Sequence, residues 1–354
     1  MNNNRLLWVN LLKIASIFSV IIIHSSAPLL VKYNESGPEY WWIGNLYNSF
    51  SRWCIPVFFM ISGAFLIEKA QKESLSRFFF QRFHKIFIPF IFWSGIYYLW
   101  RFYGNIEKIS LYKFITLLLQ EPVYYHLWFI YILIELYLLA PFIGVYVKSA
   151  DTSNRLFFLA IWLMFGIVLP MLQSCFMFTS YFSFVTTGNV ISYLGYFLLG
   201  FLLREYAAGK VVRFFFIVLF LLGFFLTACG TFYFTVIRNG GVFSDCFYNY
   251  YSVNVLLMSV SIFIFAKSSP VPDWIKNTRS SNLITTIASA IPGIYLIHAL
   301  VLALLKRGLP GIMMNETMYG PAVGIPLFTI VIFFISCIIV LLIRSIPILK
   351  HIVP

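Results

Sequence analysis

In the stretch WVNLLKIASIFSVIIIHSS, residues 8–26, three polar side chains interrupt an otherwise apolar run: Asn10, Lys13 and His24. Positions three, four, seven and eleven apart share one face of an α-helix, so Lys13, Val20 and His24 form a stripe, with Asn10 beside Lys13. At a rise of about 1.5 Å per residue, His24 stands some 16 Å beyond Lys13. An imidazole at that depth can take a proton from an attacking hydroxyl or carry an acyl group itself. An ionisable group inside an apolar run faces protein or water and is a functional candidate by default. The structural alternative for His24 is a buried histidine bonded to a neighbouring helix.

Three further runs repeat the pattern. In GNLYNSFSRWCIPVFFMISG, Asn45, Asn48, Ser49 and Arg52 again share one helix face. Arg52 cannot lose its charge, so it pairs with an anion or lines a wet cavity. YYHLWFIYILIELYLLAP opens with His126 and carries Glu135 half a turn off its face. Glu135 is the only acidic residue well inside an apolar run; Arg52, Lys13 and a histidine are all open as its partner. PGIYLIHALVLALLKR holds His298. Near-neutral imidazoles suit metal ions, but none of these histidines has a second ligand four positions on and no carboxylate is near in sequence, so no metal is expected. At the opposite level, SLSRFFFQRFHKIFIPF brings Arg77, Arg82 and Lys85 ahead of Pro89. Such a cluster anchors a span against anionic lipid, the favoured reading from this stretch alone, or grips a phosphate-rich ligand.

The elements that must hold these residues are membrane helices. The chain has 354 residues, 61% hydrophobic, 20% aromatic and 10% charged, against about 25% charged in soluble proteins. Repeated apolar runs are long enough to cross a hydrocarbon core of about 30 Å. Only helices satisfy their own backbone over such runs in lipid. The expectation is an all-α polytopic bundle of about ten spans in one domain covering 1–354: residues 6–30, 43–67, 83–103, 126–147, 155–173, 189–204, 212–236, 248–267, 283–305 and 321–345. The piece 111–119 is expected at the surface or dipping in partway. With both termini cytoplasmic, seventeen Lys and Arg fall inside and seven outside, Arg52 lying within a span, as the positive-inside rule requires. This bias accounts for the net charge of +13, and nucleic acid is not implied. The long loops 174–188, 237–247 and 306–320 then lie outside. Cys175 and Cys246 share that side, which allows a disulfide.

Together these pieces resemble acyltransferase family 3, the integral membrane O-acyltransferases of bacteria. The likeness is nearest to the short, domain-free subgroup typified by the O-acetyltransferase of enterobacterial common antigen. The family's first-helix pattern is Asp, then Arg three positions on, then His eleven further; here those positions are Asn10, Lys13 and His24. SRWCIPVFFMISGAFL, with Arg52, Pro56, Ser62 and Gly63, matches the second-span pattern. Arg82, Lys85 and Pro89 match the third. His126, Leu127, Trp128, Tyr137 and Pro141 match the fourth, and Tyr295 and His298 a late-helix signature. Asn10, Lys13 and Lys85 depart from the family residues, and the paired Glu that many members carry after HLW is replaced by Leu133 and Ile134.

The resemblance implies a multi-pass protein of the bacterial inner membrane. Such a protein moves an acyl group, acetyl above all, from cytoplasmic acyl-CoA to a hydroxyl of an envelope polysaccharide or lipid-linked sugar. On this reading Arg77, Arg82 and Lys85 meet the CoA phosphates, Asn10 and Lys13 open the donor path, and His24 acts on the acceptor hydroxyl. Arg52 or His126 would stabilise the oxyanion, and Glu135 is the acidic candidate. Acetyl-CoA is the only small molecule required. A proton-coupled transporter also places His and Glu in spans, but such folds often show internal duplication, and none is visible. A non-catalytic membrane partner would need neither the basic cluster nor a deep histidine.

Overall fold

The computed structural model describes residues 6–105, 107, 109–178, 189–309 and 311–354. Arg5, Lys108 and the 179–188 part of the expected outer loop lie outside these. Fifteen α-helices are present and no strand among the described residues. The first half comprises α1 (Leu7–Leu30), α2 (Tyr33–Ser51), α3 (Cys54–Lys72), α4 (Leu75–Arg82), α5 (Ile88–Arg101), α6 (Leu111–Gln120) and α7 (Trp128–Ser149). The second comprises α8 (Thr152–Trp162), α9 (Leu169–Phe176), α10 (Val190–Leu203), α11 (Lys210–Phe232), α12 (Val253–Ser268), α13 (Asp273–Lys276), α14 (Thr278–Lys306) and α15 (Pro321–Ser345).

Every expected span falls on helix. Seven described helical runs are long and apolar enough to cross a membrane, and α10 and α12 are shorter apolar helices. The chain is therefore a multi-pass membrane protein. Two spans differ in build from the expectation. The 43–67 span is part of a longer run, Gly37–Lys72, broken by a turn at Arg52 and Trp53. The 83–103 span is the upper part of a rod made of α4, a π-helical segment Phe83–Phe87, and α5.

Prolines explain these breaks. A proline offers no N–H to the carbonyl four residues earlier, and its ring crowds that carbonyl. Pro56 thus withdraws the ladder partner of Arg52, where the turn falls. Pro89 does the same to Lys85, inside the first π segment. Pro170 does so to Gly166, inside a second π segment, Leu163–Val168. Pro28 withdraws the partner of His24 within α1. Pro326 frees the Ala322 carbonyl, which accepts the Tyr47 hydroxyl at 2.8 Å. A side chain also bonds into α14: the Tyr97 hydroxyl donates to Leu296 O at 2.7 Å and accepts from Leu300 N at 3.1 Å.

The helix α1 runs through the centre, packed on α2, α3, α14 and α15. The tightest pairing, α3 on α10, depends on two glycines. A Cβ on Gly63 would stand 1.8 Å from Phe197 O, and one on Gly200 1.9 Å from Met60 O. Small residues let membrane helices approach this closely. Peripheral α11 turns Phe214 (67% exposed) and Phe225 (56%) outward, the lipid-facing surface of a helix apolar all round. A disulfide joins Cys175, at the end of α9, to Cys246, with Cα atoms 5.0 Å apart.

Candidate active site

The three histidines that the sequence scatters over α1, the start of α7 and α14 meet in the half of the bundle away from the termini. The His24 and His298 rings stack with centroids 5.4 Å apart, and His126 stands edge-on to His298 at 5.1 Å. They differ in burial. His126 and His298 are 1% and 0% exposed, whereas His24 is half-buried. His298 Nδ1 bonds Tyr295 O at 2.7 Å, so in the neutral ring Nδ1 carries the proton and Nε2 is an acceptor. That Nε2 and both nitrogens of His126 are buried with no hydrogen-bond partner, although the Leu296 carbonyl is near the His126 ring. Each orphaned buried polar atom costs on the order of 1–3 kcal/mol. Three such atoms side by side can take hydrogen bonds from water or from another molecule.

Arg52 stands beside this cluster because the Pro56 break aims it there. Its Nε donates to Asn48 Oδ1 at 2.7 Å and its Nη1 to Tyr248 O at 3.2 Å. The guanidinium lies 4.2 Å over the Tyr248 ring and 5.6 Å from that of Tyr250, and acts on His24 electrostatically. None of the ion pairs among the described residues includes Arg52. The polar stripe of α2 supports it. Asn48 Nδ2 donates to Ile23 O at 3.0 Å and Ser26 Oγ at 2.9 Å, tying the Arg52 support to α1 just before and after His24. Ser49 Oγ donates to Asn45 Oδ1 at 3.0 Å, and Asn45 Nδ2 to Ala228 O at 3.0 Å. The Tyr248 hydroxyl donates to Asn45 Oδ1 as well. A positive charge held by neutral acceptors in a low-dielectric site is free to meet a developing oxyanion.

The other end of the α1 stripe lies near the termini. Asn10 Nδ2 donates to Thr285 Oγ1 of α14 at 3.3 Å. Half-buried Lys13 is within electrostatic range of Lys69, and neither lysine is in an ion pair among the described residues. Arg77 and Lys85 are exposed. Arg82 is differently placed from the free phosphate clamp that the sequence suggests. It donates to Glu73 Oε2 at 2.7 Å, with the two side chains 11% and 21% exposed, and to Phe78 O at 3.2 Å. Tyr137 and Ser62, motif residues on α7 and α3, hydrogen-bond to each other within range of Arg82.

So His24, His126, His298 and Arg52 gather in one place, and Lys13, Asn10 and the basic residues of α4 lie at the other end of α1. Glu135 joins neither group. Its side chain is exposed on α7, and no ion pair among the described residues links it to Arg52, Lys13 or a histidine. The half-turn offset from His126 had already turned it away from that face. Sequence reasoning missed Tyr125, whose ring is 4.8 Å from that of His24, and Tyr97, which hydrogen-bonds the α14 backbone on either side of His298. It also missed Lys69. The pair of tyrosines directly before His126 was the available signal for the first; nothing in the sequence pointed to the other two.

A helical membrane bundle that gathers three imidazoles beside a guanidinium with no carboxylate partner among the described residues has the groups for polar chemistry within the membrane. A family model described as an acyltransferase domain matches residues 6–343, and the chain belongs to that family, acyltransferase family 3. No curated protein and no solved structure matches the chain. Family membership favours a membrane acyltransferase over a proton-coupled transporter.

Proposed function

We propose that the protein is an O-acetyltransferase of the bacterial inner membrane, nearest to the short subgroup that modifies envelope glycans. Acetyl-CoA binds from the cytoplasmic end, and a sugar hydroxyl of an envelope polysaccharide or lipid-linked glycan arrives from the outer end. Lys13, Lys69, Arg77 and Lys85 meet the CoA phosphates. Arg82, seated on Glu73, fixes α4 and turns its remaining N–H groups to the same ligand. The pantetheine arm follows the α1 stripe past Asn10 toward His24.

At the centre, His24 takes the proton of the acceptor hydroxyl as its oxygen attacks the thioester carbonyl. The C–S bond then breaks, and the proton passes to the departing CoA sulfur. Arg52 carries the charge of the tetrahedral oxyanion. His298 stacks on the His24 ring and His126 stands against His298, so the two position the base. An acyl-histidine route through His24 uses the same groups in two steps. The observation that carries this reading is the contrast in burial: of three clustered imidazoles, only His24 is not fully buried.

The test is CoA release from acetyl-CoA by nanodisc-held protein with oligosaccharides of bacterial envelope glycan as acceptor, wild type beside His24→Ala. Acceptor-dependent release by the wild type alone is the expected result. Equal release by both removes His24 from the chemistry.

A further inference from the structure

Beyond His24 toward the outer end, a series of aromatic side chains follows, joined by ring contacts and one hydrogen bond. Tyr125, 47% exposed, is 4.8 Å from His24, and Tyr124 is 4.7 Å from Tyr125. The Tyr124 hydroxyl meets the indole N–H of Trp100. Trp100 in turn stacks on Tyr103 at 5.8 Å with planes 27° apart, and Tyr103 is 69% exposed. Beneath them Tyr97 stacks on Tyr124 at 4.5 Å and holds the series to α14. At the mouth, Arg307 lies 4.4 Å over the Trp100 ring and is in no ion pair among the described residues. The charged neighbours Arg101 and Glu121 are paired with each other at 3.4 Å.

We infer that this staircase, Tyr103–Trp100–Tyr124–Tyr125, is the binding track of the acceptor, and that its ligand is a chain of sugar rings bearing an anionic group. The inference rests on the transferase reading for its end point and on its own geometry for the rest. The C–H faces of a pyranose carry slight positive charge and stack on the negative face of an aromatic ring. A series of partly exposed rings, 4.7 to 5.8 Å apart where they touch, suits successive sugars rather than one compact ligand. Arg307 keeps a free guanidinium edge for a carboxylate or phosphate. Aromatic residues at a membrane surface also serve as lipid-level anchors, but those face lipid from the rim. These rings cover one another and lead inward to a histidine.

The test uses nanodisc-held protein and fluorescent oligosaccharides released by mild acid from bacterial envelope polysaccharide. Retention is measured without donor, beside thermal melting. Trp100→Ala is expected to weaken retention about tenfold and Tyr103→Ala about threefold. Arg307→Gln should remove the salt dependence of retention. Leu99→Ala, on exposed surface of the same helix, is the control and leaves retention unchanged. Tyr103 is exposed enough for its variant to fold whatever Trp100→Ala does. Wild-type retention in Tyr103→Ala and Trp100→Ala, or no retention by the wild type, overturns the staircase. Retention through these residues without acetyl-CoA-dependent CoA release leaves the staircase standing and overturns the transferase reading. Acceptor-dependent release with the acceptor KM unchanged in Tyr103→Ala does the reverse.

Discussion

At the terminus end of the bundle, Arg82 donates to the Glu73 carboxylate at 2.7 Å and covers the Phe78 ring at 4.2 Å. At the other end, the buried His126 nitrogens have only the Leu296 carbonyl nearby, His298 Nε2 has no partner of good geometry, and Arg52 has no carboxylate. The first arrangement is what a folded chain does with a charge it only needs to hold. The second leaves polar atoms without a protein side-chain partner, an arrangement that a water or a substrate would complete. A half-satisfied polar cluster in a packed bundle is thus a better guide to chemistry than a well-made ion pair, although the ion pair looks the stronger feature.

This contrast can be broken most directly at His24. His24→Ala should lower acceptor-dependent CoA release by about a thousandfold, in the range that general-base removal gives, with acetyl-CoA affinity held within about twofold. Loss of affinity with intact turnover would turn the site into a binding feature only. Next comes His126→Phe, which fills the same space without orphaned atoms. Activity should fall about a hundredfold while the melting temperature holds or rises, because an unmade buried hydrogen bond is removed. A clear fall in melting temperature would mean that His126 was satisfied after all.

Lys13→Ala sharpens the other end. It should raise the acetyl-CoA KM about tenfold with little change in the maximal rate, the signature of uniform donor binding. Lys69→Ala is expected to do the same more weakly, and an unchanged KM in both would move the phosphates elsewhere. The smallest effect is expected at the satisfied pair. Glu73→Gln leaves Arg82 without its countercharge and should lower stability by about 1–3 kcal/mol, less than a fully buried pair would lose. The acetyl-CoA KM should move less than about threefold, read by melting and steady-state kinetics together. A KM that falls sharply would show Glu73 competing with the CoA phosphates for Arg82.

Much of this was legible in the residues themselves. Apolar run lengths called out the helical spans, because hydrocarbon leaves the backbone no partner but itself. The i, i+3, i+4, i+7 spacing put Asn45, Asn48, Ser49 and Arg52 on one face, and they share one hydrogen-bond network. Lys13 and His24 lie on one stripe for the same reason. Prolines four residues after Arg52, His24 and Lys85 were visible too, and a missing N–H acts locally. Family motifs singled out His126 and His298.

What the sequence could not hold was distance between helices. That His24 meets His298 rather than Glu135, and that Arg82 faces Glu73, nine residues back across the turn between α3 and α4, depends on how the helices rotate and cross. Tyr97 enters the α14 ladder across 203 positions of chain, a pairing no periodicity encodes. The Gly63–Gly200 approach sets how close α3 and α10 lie, and only close packing of both partners selects that distance. Helix existence and helix faces are local consequences of side-chain spacing, so the sequence determined them alone. Which faces meet is a global packing solution, and only the tertiary structure decided it.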